Sequence, residues 1–177
     1  MEGIDIMTIY NVILFILFYF IIIVIFKTHN YFIKLNRTTS DALILLLESL
    51  ENRRKATLGI MEIVKKHTGK KNQELFDNIV ENTKIPLDNL SVTKQAEIND
   101  KLTEYIFRLI ELSENNEKLL DDKKLNIAND IYIRNEIKLT DRKELYNKLA
   151  TLLNKNIDKF PDNILSAATN IDKRELF

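Results

Sequence analysis

Residues 12–26 of this 177-residue chain read VILFILFYFIIIVIF. The run holds fifteen apolar or aromatic residues in succession and leaves no polar face, which a helix in the core of a soluble domain normally keeps. Together with Ile6–Tyr10 and Asn11 it reaches about 20 residues, the length that crosses the ~30 Å hydrocarbon core of a bilayer. The sequence therefore predicts a transmembrane anchor over residues 6–26.

A cleaved signal peptide is the alternative interpretation of this run. Signal peptides carry basic residues before the apolar stretch and small residues at a cleavage site. Residues 1–5 contain Glu2 and Asp5 but no Lys or Arg, and the run ends in Ile-Val-Ile-Phe-Lys. Both features favour an anchor that is retained.

Basic residues lie on one side of the run only. Lys27, Lys34 and Arg37 follow it, and no basic residue precedes it. Positive charge near a membrane span stays on the cytoplasmic side. We therefore expect a single-pass protein of the cell membrane, with residues 1–5 as a short extracytoplasmic N-terminus and a cytoplasmic C-terminal domain.

The composition narrows the class of the remaining chain. Only 3 glycines and 2 prolines are present, too few for the many tight turns of an all-β fold. Cysteine is absent, which excludes disulfides and thiolate metal sites. Lys plus Arg and Asp plus Glu are equal at 26 each, and this balance predicts no nucleic-acid partner because phosphate binding requires a basic excess.

Apolar residues recur at three- and four-residue steps after the anchor, the pattern of amphipathic helices. Such helices bury their apolar faces by packing together. The prediction is an all-α protein whose anchor is followed by an antiparallel up-and-down bundle of three to four long helices. The predicted segments are a helix ending at Gly69, Gln73–Thr83, Thr93–Ser113, and a last helix from Asp122 to before Pro161. In domain terms, residues 27–39 form a juxtamembrane segment, 40–160 the bundle and 161–177 a C-terminal tail.

The junction between anchor and bundle is open to two interpretations. Neither Gly nor Pro occurs between Ile4 and Leu58, which allows one continuous helix. Thr38 and Asp41 have the spacing of a capping box, which would start a new helix there. The sequence alone does not decide between them.

The sequence offers no catalytic constellation. No phosphate-binding glycine loop, nucleophile elbow or zinc-binding helix motif occurs. The two histidines, His29 and His67, stand 38 residues apart. We therefore predict that the protein is not an enzyme and that it has no catalytic residue, cofactor or metal site.

Charged residues interrupt the apolar faces of two predicted helices. Arg53 and Arg54 fall in the first, while Glu136 and Arg142 fall in the last. Long charged side chains often reach outward to solvent. Opposite charges at facing positions can instead pair inside a bundle and set the register of its helices. Both interpretations stay open at this point.

The last part of the chain carries a spaced set of residues: Tyr146-Asn147, Asn154, Phe160-Pro161 and Asn163. Their spacing, Tyr-Asn-x6-Asn-x5-Phe-Pro-x-Asn, resembles the closing signature of the LemA family. Looser similarity adds Glu136 in the last helix, Arg53-Arg54 in the first, and Arg174 and Phe177 at the C-terminus. The family tryptophan of the first helix is missing. The resemblance implies a bacterial protein with an anchor and a helical bundle, and no established enzymatic activity.

The functional expectation combines the anchor, the bundle and this resemblance. It is a membrane-anchored interaction or scaffold protein of the LemA type with an unidentified protein partner, and self-association is a further option. The alternatives are a membrane-tethered signalling or sensor module and, third, an enzyme. The residues assigned a structural or partner-facing role are Arg53, Arg54, Glu136, Tyr146, Asn147, Asn154, Phe160 and Pro161.

Two details of the closing signature yield specific expectations. Pro161 disfavours helical geometry at the preceding residue, so the last helix should end at Phe160, whose ring should pack under the bundle. Asn147 and Asn154 are seven residues apart and so share one helix face. Their amides are expected to hydrogen-bond within the structure or to form a strip that faces a partner.

Overall fold

The structure is a computed structural model that describes residues 6–159 and 162–177, without the side chain of Lys70. Helices dominate these ranges and no strand occurs in them. The elements are α1 Ile6–Thr68, a 3₁₀ turn Gly69–Asn72, α2 Gln73–Lys84, α3 Val92–Glu114, α4 Glu117–Leu120, α5 Lys123–Ile157 and α6 Asp162–Thr169. The all-α prediction is confirmed.

Local sequence signals set the ends of the helices. Gly69 adopts a φ of 66°, a left-handed conformation that glycine reaches without strain and that ends α1. Pro86 follows the extended Ile85 after α2. Ser91 caps α3 by accepting a hydrogen bond from the Lys94 amide.

Helix α1 runs without a break through Thr38–Asp41. The hydroxyls of Thr38, Thr39 and Ser40 each donate to the backbone carbonyl four residues earlier, at 2.9, 2.8 and 3.2 Å. Hydroxyls bonded in this way no longer cap a new helix start. The apolar run and the first bundle helix are therefore one element of 63 residues.

Helices α1, α2, α3 and α5 alternate in direction, as an up-and-down bundle requires. Helix α5 packs along α1 in the antiparallel sense, with Arg53 opposite Glu136 and His67 opposite Asp122. Three groups of buried apolar side chains follow one another along the bundle. Their largest members include Ile60, Phe76 and Leu109 at the far end, Leu46, Leu50 and Leu139 in the middle, and Phe32 and Leu153 nearest the apolar run.

The first part of α1 has no protein around it in the described structure. Side chains such as Phe15 and Phe20 are 72% and 64% exposed. Among the described helices, α1 alone is long and apolar enough to cross a membrane, a property that a signal sequence shares. Packing starts within the predicted juxtamembrane segment, because Phe32 and Leu35 are buried against Leu153 and Ile171.

The C-terminal tail folds back onto the bundle. After α6, Asn170 takes a φ of 51° and the chain continues to Phe177 without regular secondary structure. Ile171 is buried, and both Arg174 and Phe177 are half-buried. Phe160 and Pro161, for which the end of the last helix is predicted, lie outside the described residues; α5 ends at Ile157.

Candidate functional site

Arg53 occupies the centre of the bundle and is 2% exposed. Its Nε donates to the Glu136 carboxylate on α5, and one terminal nitrogen donates to the Asn99 carbonyl at 3.1 Å and to Asn99 Oδ1 at 2.7 Å. The other terminal nitrogen donates to Thr103 Oγ1 and to the Tyr132 hydroxyl, both at 3.0 Å. We call this set the Arg53 layer: Arg53, Asn99, Thr103, Tyr132 and Glu136.

In the Arg53 layer, the guanidinium on α1 has hydrogen-bond partners on two other helices, α3 and α5. A buried charge is tolerated only when it is paired and hydrogen-bonded, and all the nitrogens of Arg53 have partners here. Burial raises the pKa of Tyr132, so its hydroxyl stays protonated at neutral pH. Because α1, α3 and α5 all contribute side chains to the layer, sliding any of these helices by one turn would leave the buried arginine without hydrogen-bond partners. The layer therefore fixes the register of the bundle.

The other two arginines of the stripes also point inward. Arg54 donates to the Ile85 carbonyl at 2.8 Å and thereby fastens the end of α2 to α1. Arg142 on α5 donates to the Leu45 carbonyl and to Ser49 Oγ on α1, at 2.8 and 2.9 Å. Pairing inside the bundle, one of the two interpretations open from the sequence, is what the structure shows for Arg53 and Glu136. The carboxylate partners of Arg54 and Arg142 lie nearer the surface, at 45% and 58% exposure.

A second polar cluster lies where the tail returns to the bundle. The Asn154 amide accepts from the Arg174 backbone N–H at 2.7 Å and donates to the Arg174 carbonyl at 2.8 Å. The Asn147 amide does the same to the N–H and carbonyl of Phe177, at 2.8 and 3.0 Å. Each asparagine thus hydrogen-bonds to both the N–H and the carbonyl of one tail residue. We call Asn147 and Asn154 the tail clamp.

Further hydrogen bonds hold the tail on the bundle. The buried Tyr146 hydroxyl donates to the Glu175 carbonyl at 2.7 Å. Burial raises the pKa of Tyr146, so the hydroxyl remains a donor at neutral pH. The Glu175 carboxylate accepts from the Thr93 amide at 3.2 Å, where it meets the positive end of the α3 dipole. Arg174 reaches Asn36 and Ser40 on α1, at 3.0 and 3.2 Å.

The predicted site residues therefore fall into two places. Arg53 and Glu136 form the Arg53 layer, whereas Tyr146, Asn147 and Asn154 bind the tail. Arg54 belongs to neither cluster, and Phe160 and Pro161 lie outside the described residues.

Sequence reasoning missed Asn99, Thr103 and Tyr132, the other members of the Arg53 layer. Asn99 and Thr103 are four residues apart on α3, a spacing that places two polar groups on one face, but many solvent-exposed faces share it. Nothing local marks these positions as neighbours of an arginine some 50 residues earlier.

The remaining surface carries open clefts. One, of about 400 Å³, lies beside α2 and α3 and is lined mostly by polar and charged side chains that include Arg108 and Glu111. Another, of about 320 Å³, lies between α1 and α5 and combines apolar residues such as Ile131 with the polar Lys55 and Asn135. Within the described residues, no group of three or more His, Cys, Asp or Glu side chains is arranged to hold a metal ion.

The comparison with protein families decides the relationship that the closing signature suggests. The model of the LemA family matches residues 46–177, which include both polar clusters and the tail. The chain belongs to the LemA family. No curated protein and no solved structure matches it.

The LemA match covers both the bundle and the C-terminal tail. Its range begins at Leu46, in the bundle part of α1, and ends at the last residue of the tail. In this LemA protein, Tyr146, Asn147 and Asn154 of the closing signature all bind the backbone of the C-terminal segment. The tail is therefore an integral part of the LemA domain.

Proposed function

We propose that this LemA-family protein is a single-pass membrane protein whose bundle serves as an interaction scaffold at the cytoplasmic face of the cell membrane. One observation carries the proposal: an apolar helix segment exposed on all sides continues without a break into a well-packed bundle. Water is a poor environment for such a segment, and a bilayer removes its apolar surface from water.

The charge distribution supports the orientation. Lys27, Lys34 and Arg37 flank the apolar segment on the bundle side, and Lys27 and Arg37 are exposed. Positive residues of this kind stay with the cytoplasmic leaflet. At 1.5 Å per residue, α1 extends roughly 60 Å from Lys27 to Thr68. The bundle would therefore begin close to the membrane surface, at Phe32, and reach far into the cytoplasm.

The anchor is tested by flotation of the full chain with lipid vesicles. Replacing both Leu17 and Ile21 by lysine should abolish flotation, because each central lysine disfavours insertion by about 2.5–3.5 kcal/mol. The matched control replaces the same two residues by alanine and should float like the wild type. Flotation of the lysine variant would refute the anchor. Mass spectrometry that finds residues 6–26 removed from the mature chain would show a signal sequence instead.

The orientation is tested by thiol labelling of intact cells, which the absence of native cysteine makes clean. A cysteine at position 3 should react with an impermeant reagent, whereas one at the exposed Lys71 should not. Lys71 is a better site than Gly69, whose positive φ would strain a cysteine. The reverse pattern of labelling would place the bundle outside the cell.

The scaffold role includes no catalysis and requires a protein partner. Cross-linking in intact membranes, followed by purification of the full chain, should enrich the same protein reproducibly. The double lysine variant, which should stay in the cytosol, is the control. Failure to recover any protein, or substrate turnover by the purified chain in a hydrolase panel, would contradict the role.

A signalling or sensor role is the second candidate, and the continuity of α1 favours it. A helix without a hinge transmits rotation or piston movement of its membrane segment directly to Arg53 and its partners. Site-specific cross-linking between α1 and α5 under different membrane conditions tests this role. A pattern that never changes would argue against it.

A further inference from the structure

The tail of this protein is bound in the manner of a peptide ligand. Residues 171–177 form no helix or strand, and the two clamp asparagines hydrogen-bond to the backbone N–H and carbonyl of Arg174 and Phe177. Peptide grooves that bind extended segments use such main-chain hydrogen bonds for affinity and use pockets for alternate side chains for specificity. The tail of this protein makes main-chain hydrogen bonds to the clamp, and three of its side chains have their own surroundings on the bundle.

The spacing of the clamp matches the repeat of an extended chain. Asn147 and Asn154 are seven helical residues apart, which is about 10.5 Å along α5. Arg174 and Phe177 are three residues apart, which is about 10 Å at 3.3 Å per extended residue. Asparagines two helical turns apart on α5 therefore hydrogen-bond to tail residues that are three positions apart. The same period brings Ile171, Arg174 and Phe177 toward the bundle while their neighbours stay exposed.

Each of the three inward residues has its own surroundings. Ile171 is buried with Phe32, Leu35 and Leu153. The Arg174 guanidinium donates to Asn36 and Ser40 on α1. The Phe177 ring packs beside the middle group of buried apolar residues, with the Lys143 ammonium 5.2 Å from its centroid.

These surroundings define a groove between α1, α5 and the start of α3. The tail residues that occupy it follow the pattern apolar-x-x-Arg-x-x-aromatic. The sequence that demonstrably fits is the chain's own C-terminus.

We propose that this groove is a peptide-binding site that exchanges its ligand between copies of the protein, so that the tail of one copy fills the groove of a second. This inference rests on the proposed membrane anchor, which holds every copy in one plane. The groove begins at Phe32, about 9 Å beyond the end of the apolar run at 1.5 Å per residue, so all copies present it at the same height.

Exchange between copies is favoured over capture of a foreign peptide. A tail attached to its own bundle has an effective concentration in the millimolar range, and a foreign peptide must outcompete it. Reciprocal exchange instead preserves all the tail contacts in both copies, which makes it a low-cost route to dimers. Asn170, exposed and in the left-handed region, is the pivot. Because Ile171 directly after it is itself bound in the groove, exchange requires two bundles whose groove ends adjoin.

A cross-linking experiment on the full chain tests the proposal. Two variants are reconstituted together in phosphatidylcholine–phosphatidylglycerol vesicles: a groove variant, Thr93→Cys, and a tail variant, Glu175→Cys. These positions adjoin, because the Glu175 carboxylate contacts Thr93 at 3.2 Å. A short bis-maleimide should join the two variants, since about half of the dimers in an equal mixture contain both.

Three controls make the result specific. The chain that carries both cysteines confirms that the positions are close enough to react. Glu104→Cys, exposed on the same helix about 16 Å further along, replaces the groove cysteine and reports chance collisions. Adding Asn147→Ala and Asn154→Ala to the groove variant should abolish the mixed product, whereas adding them to the tail variant should leave it intact.

The outcomes separate this inference from the proposed function. Mixed product no higher than the Glu104 control, while the doubly substituted chain cross-links within itself, would show that the tail stays in its own groove and would overturn the proposal. In native membranes, a product between the groove cysteine and another protein would also overturn it. Failure of the vesicles to carry the chain in flotation would instead refute the anchor.

Discussion

The Arg53 layer provides a sharp test of the bundle's energetics, because its two charged members differ in exposure. The Arg53 side chain is 2% exposed and the Glu136 side chain is 37% exposed. Removing the glutamate leaves a buried cation without its counter-charge, whereas removing the arginine leaves a carboxylate that water can reach. Glu136→Met should therefore destabilise the protein more than Arg53→Met does.

The magnitudes follow from the partners that each change leaves behind. Breaking a buried ion pair typically costs 3–5 kcal/mol, and we expect about 3 kcal/mol for Glu136→Met because solvent reaches one side of the gap. Arg53→Met releases Asn99, Thr103 and Tyr132, all half-buried, and should cost about 1 kcal/mol. The double variant should also cost about 1 kcal/mol, so the coupling energy is about 3 kcal/mol.

The assay is urea unfolding of the full chain in a mild detergent, followed by far-UV circular dichroism. Glu97→Met is the control, since the ion pair of Glu97 with Lys94 is exposed on both sides, at 56% and 55%; exposed pairs contribute little, so its unfolding midpoint should stay close to that of the wild type. An equal or larger loss from Arg53→Met than from Glu136→Met would refute the argument from exposure. Additive effects in the double variant would refute the pairing.

Three further predictions concern the tail, a helix cap and the domain boundary. Replacing both clamp asparagines by alanine should speed hydrogen exchange over residues 171–177, while Asn126→Ala, on an exposed face of α5, should not; equal exchange would contradict the clamp. Backbone hydrogen bonds at the start of α5 lower the pKa of Asp122, so the stability that its charge contributes is complete above its usual value of 3.8 and is lost as pH falls below it. Acid unfolding of Asp122→Asn, which keeps the capping oxygen, should lack that component, and an unchanged profile would contradict the assignment. A fragment of residues 27–177 should be soluble and unfold at a higher temperature than one of residues 38–177, which lacks two buried side chains of α1; equal midpoints would show that the juxtamembrane segment adds nothing.

Local signals in the sequence were sufficient to predict the number and the positions of the long helices. The apolar run, the helical spacing of apolar residues, Gly69, Pro86 and the polar residues near Asp122 placed each long helix within a few residues. These features act through backbone conformation and side chains close in sequence, so they can be read without knowing the fold. The closing signature likewise indicated the family, because a spacing of residue types is a property of the chain itself.

The tertiary structure alone decided which polar residues meet. Arg53 and Glu136 are 83 residues apart, and Asn147 and Phe177 are 30 apart, so no local pattern joins them. Charged residues in an apolar stripe are compatible with solvent or with a buried partner, and the choice depends on what the neighbouring helices present at that level. The sequence likewise left the partner of the clamp asparagines open. An amide can donate and accept hydrogen bonds with a neighbouring helix, with another protein or with a returning chain end, and only the fold places the tail across them.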